Sequence, residues 1–200
     1  VFGRSRGLVT SVAAASSSSS EGGRTLLGSY TVSGAAANTI VIGTGGPAGL
    51  STITFPAGKR YGIYLRAVFG SPTATNVITL DPNSQTSNLT NHVIYTISTT
   101  LGSQGPIADG LVYSTSADVE EAIVEIEWDE LAGFDRKMNV RSDYYDNGAL
   151  AYSQNFYTLF WAQTPAETAM TTFRLGKGGS AQTDTYGIGS RVAVFDLGAC

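Results

Sequence analysis

Residues 61–69 read Tyr61-Gly-Ile-Tyr-Leu-Arg-Ala-Val-Phe69. Tyr61, Ile63, Leu65, Ala67 and Phe69 occupy alternate positions, so in an extended chain all five share one face, the period of a half-buried strand. Residues 123–128 repeat the pattern, with Ile123, Glu125 and Glu127 alternating with Val124, Ile126 and Trp128. Outward from these two segments the chain continues as short β-branched and aromatic stretches separated by Gly, Pro, Asn and Asp. The strands expected are Leu26–Val32, Asn38–Ile42, Ser51–Phe55, Tyr61–Phe69, Asn76–Leu80, His92–Ser98, Leu111–Ser114, Ala122–Trp128, Lys137–Tyr144, Phe156–Ala162, Met170–Leu175 and Ser190–Asp196. Short segments at Ser116–Glu121 and Pro165–Met170 allow at most a turn or two of helix. The chain therefore reads as all-β, an antiparallel two-sheet β-sandwich in one domain.

Composition agrees with a turn-rich β protein. Of 200 residues only 14% are charged, against about 25% in an average globular chain, while Gly, Ser and Thr make up about a third. The 42% apolar content, with ten Tyr, eight Phe and two Trp, is enough for a sizeable core and argues against wholesale disorder. A net charge of −4 gives no basic field, so nucleic acid is not an expected partner. No apolar run approaches the roughly 18 residues of a bilayer span, no secretory h-region is visible, and no membrane association is expected. With Cys200 as the one cysteine, neither an intrachain disulfide nor a cysteine metal cage can form.

Residues 1–24 differ from the body at 25–200. They hold Arg4, Arg6 and Arg24, an Ala triplet, the run Ser16–Ser20 and Gly22-Gly23, with no period that would bury a face. Fully extended, such an N-terminal arm reaches about 80 Å, beyond the radius of the domain behind it. Phe2, Arg4, Arg6, Leu8, Val9 and Val12 are the residues expected to contact a neighbouring subunit if the arm lies on one; the competing reading is a disordered leader.

Half of the sixteen acidic residues fall between Asp118 and Asp135, where there is no Lys or Arg. Glu120, Glu121, Glu125, Glu127, Asp129 and Glu130 are the candidate contact stripe. Such a stripe is a solvated face that protects an edge from aggregation, the surface that meets the arginines of a neighbour's arm or a host surface, or, as a third option, a cation site.

A search for chemistry finds little. His92 is the one histidine, so a Ser-His-Asp triad has a single possible centre, and Gly3-Arg-Ser-Arg-Gly7 lacks the strand and helix that a nucleophile elbow requires around Ser5. The Asp118–Asp135 carboxylates lie side by side along a strand, not across a cleft as in a glycosidase. Asp143-Tyr-Tyr-Asp146-Asn147-Gly148 lacks the ligand alternation of a calcium loop, and its Asn147-Gly148 reads as a tight turn; Asp81-Pro82-Asn83-Ser84 likewise reads as a turn. Gly43–Gly49 has no Lys-Ser/Thr to complete a phosphate loop. No enzyme activity, metal or cofactor is expected. Asn88-Leu-Thr90 spells a glycosylation sequon, a tripeptide common by chance. Aromatic residues crowd residues 144–161, and Tyr144, Tyr145, Tyr157 and Trp161 form a candidate glycan platform if their rings are exposed, although alternation along Phe156–Trp161 buries one set.

Three stretches carry a family resemblance: Ser51–Phe55 with its Pro-Ala-Gly turn into Tyr61–Phe69; Asn76–Asp81 running into an Asn/Ser/Thr-rich loop; and Met170–Leu175 leading through Gly176–Ser180 to Gly189–Phe195. In the style of these segments, residues 50–197 resemble the virion structural proteins of tailed bacteriophages. The resemblance implies a jelly-roll-like module on the outer surface of the particle, a capsid-decoration (cement) or head-fibre subunit held by its N-terminal arm. The alternative is a tail-fibre, receptor-binding or glycan-binding module. Its partners would be other virion proteins and its own copies, trimers being frequent in that group, and the resemblance supplies no active-site residues.

Overall fold

Alternation of apolar and polar residues becomes thirteen strands among the described residues of the computed structural model, which are 20–21, 23–34, 36–69, 77–83, 89–97, 100–108, 111–114, 119–132, 134, 136–146, 151–161, 170–177 and 185–200. In chain order they are β1 (Ser20–Glu21), β2 (Arg24–Thr31), β3 (Thr39–Gly43), β4 (Lys59–Val68), β5 (Val77–Pro82), β6 (Leu89–Ile97), β7 (Thr100–Ala108), β8 (Leu111–Ser114), β9 (Glu121–Glu130), β10 (Arg136–Asp146), β11 (Ala151–Trp161), β12 (Thr172–Lys177) and β13 (Arg191–Ala199). No helix occurs among the described residues.

The strands form two antiparallel sheets. The larger has the order β1-β2-β13-β4-β9-β10-β11-β6-β7 and the smaller β3-β12-β5-β8. Ile63 and Leu65 of β4, Val124 and Ile126 of β9, and Val192 and Val194 of β13 are buried from the larger sheet; Ile40, Ile42, Ile78, Leu80, Phe173 and Leu175 are buried from the smaller. Phe173 of β12 stands 4.6 Å from Trp128 of β9 between ring centroids, and Phe55 lies 5.2 to 5.6 Å from Tyr61, Trp128 and Phe173. This aromatic cluster joins the two sheets into a β-sandwich-like body. Full burial of each such ring contributes about 1.5–3 kcal/mol over leaving it exposed.

All five alternating residues from Tyr61 to Phe69 are buried. Ser51–Phe55, expected as a strand, is instead part of the irregular connection between β3 and β4. Local bonds replace the ladder there: Leu50 N donates to the Pro47 carbonyl at 3.0 Å and Ile53 N to the Leu50 carbonyl at 3.2 Å. Pro47, Pro56 and Gly49, with φ of 92°, favour this folding back. Ile53 and Phe55 still plug the core. The connection packs closely on β2, where a Cβ at Gly28 would lie 2.1 Å from the Gly49 carbonyl oxygen.

Two strands lie outside the expected set, β1 and β7, and the sheet takes in residues from Ser20 onward. Asp81 and Pro82, expected in a turn, instead end β5 and pair with Arg174 and Phe173 of β12. Asn83 follows with φ of 49°, and its Oδ1 accepts from Thr171 N at 2.8 Å and Thr172 N at 3.2 Å. The Asn147-Gly148 turn, Ser116–Asp118 and Pro165–Ala169 lie outside the described residues.

Candidate functional site

Most of the predicted contact residues that the structure describes meet on the outer face of the larger sheet. β9 lies between β4 and β10, with Tyr64 opposite Glu125, Gly62 opposite Glu127 and Arg60 opposite Asp129 on one side, and Arg141 opposite Glu125 and Asn139 opposite Glu127 on the other. β11 extends the rows, placing Phe156 opposite Arg141, Thr158 opposite Asn139 and Gln154 opposite Asp143.

Glu121, Glu125, Glu127 and Asp129 share this face because they sit at odd positions of β9. Each lies beside an arginine from a distant part of the chain. Arg66 Nη2 reaches Glu121 Oε2 at 2.5 Å and Arg60 Nε reaches Asp129 Oδ1 at 2.7 Å. Arg141 Nη1 stands 4.0 Å from Glu125 and Arg24 Nη2 3.9 Å from Glu127. The Arg60 and Arg66 guanidiniums are held above their ordinary pKa, chiefly by hydrogen bonds to Asp129 and Glu121. The run that contains no basic residue in sequence is therefore matched by cations across the sheet. Arg24, assigned to the arm, is the first residue of β2 and serves Glu127 of its own chain.

Glu130 does not belong to the stripe. At an even position of β9 it faces inward and is 2% exposed. Its carboxylate forms a buried ion pair with Arg136, whose Nε donates to Oε2 at 2.6 Å, and accepts from Trp128 Nε1 at 3.2 Å. Glu120 precedes β9, exposed, and its carbonyl accepts from Phe69 N.

The glycan platform divides in the same way. Tyr144 and Tyr157 are 8% and 4% exposed and belong to the core, so they leave the platform; their positions in β10 and β11 point them inward. Tyr145 is exposed, and so are two aromatics outside the expected set, Tyr152, which pairs directly with Tyr145, and Phe156. Period-2 parity would have found them, because Tyr152 and Phe156 share a strand face opposite to that of Tyr157. Trp161 pairs through its backbone with Arg136 and Leu89, and its side chain lies outside the described residues, as does that of His92, whose backbone pairs with Thr158. Phe2, Arg4, Ser5, Arg6, Leu8, Val9 and Val12 also lie outside them.

Between the aromatics, Arg141 Nη2 closes on Asp143 Oδ2 at 2.9 Å and Gln154 Nε2 donates to Asp143 Oδ1 at 2.6 Å. The charge of Asp143 holds Arg141 above its ordinary pKa, and partial burial followed by the Asp143 hydrogen bond raises Tyr152. A recess of about 430 Å3 opens beside this network, lined by Glu125, Glu127, Asn139, Arg141, Phe156 and Thr158. Among the described residues no group of three or more His, Cys, Asp or Glu is arranged to hold a metal, and no helix is long and apolar enough to cross a membrane. Compared with known proteins, the chain matches no family model and no curated protein.

Proposed function

We propose that this chain is a non-enzymatic structural subunit of a virus particle of the tailed-bacteriophage kind, a capsid-decoration or head-fibre protein on the particle's outer surface. The observation that carries the proposal is the order of eight strands. Leaving aside β1 and the hairpins β6–β7 and β10–β11, the remaining strands are, in chain order, β2, β3, β4, β5, β8, β9, β12 and β13. Their pairing is first-eighth-third-sixth in the larger sheet and second-seventh-fourth-fifth in the smaller. That order supports a jelly roll, the double Greek key frequent in viral capsid proteins. In this reading the two hairpins are additions that widen one sheet beyond its sixth jelly-roll strand.

A jelly roll offers a broad sheet face and loop clusters at its ends, which suit isologous or ring-like packing of identical copies. The N-terminal segment supplies the anchor, gaining affinity through extended contacts at high effective concentration. Light scattering on the purified chain tests the assembly part, with a trimer expected and a strict monomer at high concentration counting against it. Removing residues 1–19, ahead of β1, tests the anchor: the body folds but no longer joins particles, whereas undiminished incorporation contradicts it.

A further inference from the structure

The recess between β9, β10 and β11, with the exposed rings beside it, has the composition of a sugar site, and we infer that it binds a neutral oligosaccharide. A pyranose presents an apolar C–H face and a rim of adjacent hydroxyls, each donor and acceptor. Phe156, 44% exposed at the recess wall, offers a ring for that face. Glu125, Glu127, Asn139, Arg141 and Thr158 offer carboxylate, amide, guanidinium and hydroxyl groups that can bridge neighbouring hydroxyls. At about 430 Å3 the recess is within the usual range of about 300–1,000 Å3 for small-molecule sites.

Three further observations specify the ligand. Arg141 is fixed by Asp143, and Asp143 by Gln154, so these polar groups are ordered before a ligand arrives. The recess lining carries two carboxylates, Glu125 and Glu127, against one guanidinium, Arg141, which closes on Asp143, so an acidic sugar would meet net negative charge. The ligand is therefore neutral. Tyr145 and Tyr152 form a cross-strand pair on the same face, with Tyr152 four residues before Phe156 on β11, about 13 Å along the strand. An oligosaccharide of a few units spans that distance and a monosaccharide does not. The inference is independent of the particle assignment and concerns the isolated chain.

The test is a glycan array probed with the full chain, followed by calorimetric titration of the strongest neutral hexose or N-acetylhexosamine oligosaccharide. Phe156→Ala and Tyr152→Ala each lower affinity about tenfold or more, the scale of one lost stacking contact with its buried area. Phe156→Tyr retains binding, Asn139→Arg blocks the recess from its exposed rim, and Phe134→Ala, which removes an exposed ring elsewhere, changes nothing. Circular dichroism of each variant confirms its fold. Absence of binding to every neutral glycan, binding confined to sialylated or uronic-acid glycans, or unchanged affinity in folded Phe156→Ala and Tyr152→Ala overturns the inference.

Discussion

Arg141 of β10 lies directly opposite Glu125 of β9, yet the pair stands 4.0 Å apart while Arg141 closes to 2.9 Å on Asp143 of its own strand. Register alone would assign the guanidinium to Glu125; local geometry gives it to Asp143. Exposed pairs at that longer distance contribute little, because water screens the attraction and side-chain order opposes it. Glu125→Gln is therefore expected to change stability by less than about 0.5 kcal/mol, checked by urea unfolding.

The inward pair behaves differently. Glu130 and Arg136 are both almost fully buried, and Glu130 also accepts from Trp128. Glu130→Ala removes the carboxylate that pairs with the buried Arg136 guanidinium, a loss of about 3–5 kcal/mol. Denaturant midpoints measure it, and a loss below about 1 kcal/mol would mean that the pair is solvated.

Gly28 is required by proximity, since its missing side chain makes room for the Gly49 carbonyl. Gly28→Ala forces β2 away from the connection that carries Ile53 and Phe55. A loss of about 1–3 kcal/mol is expected, with the thermal midpoint as the readout.

Among the described residues, Asp196 and Tyr61 each give stability a dependence on pH. Lys59 Nζ lies 2.5 Å from Asp196 Oδ2, and this hydrogen bond, aided by Gly198 N, holds the Asp196 carboxyl below its ordinary value of 3.8. A depressed folded pKa stabilises above the unfolded value, so this contribution is lost as pH falls below about 4, and Lys59→Met flattens that acid limb. Tyr61 is the opposite case. Burial first, then the charge of Asp196, pushes its pKa up to about 12, and its hydroxyl donates to the Pro56 carbonyl at 3.0 Å. Its contribution is complete below pH 10 and disappears as pH rises through about 12, so Tyr61→Phe removes that alkaline component from an ultraviolet titration.

What could be read from the sequence followed from local period. Alternation at Tyr61–Phe69 and around Val124–Trp128 placed two central strands, because period 2 is a property of the chain itself. β7 was hidden because Gly102, Gly105 and Pro106 have turn composition, and its strand state comes from pairing with β6. Ser51–Phe55 misled in the reverse direction: its alternation buries Ile53 and Phe55 without any ladder. At the candidate site, parity separates Glu130 from Glu127 and Tyr144 from Tyr145. The arginines beside the acidic stripe were not legible, because Arg60 and Asp129 are 69 residues apart and only the β4–β9 register brings them together.

The proposed place of the chain on a particle surface is tested by electron microscopy of the native assemblies, labelled with an antibody raised against the purified chain. The expected result is label in regular copies on the outer surface of intact particles that band together with the chain in a density gradient. Intact particles without label, and the chain confined to the particle-free fractions, would contradict it.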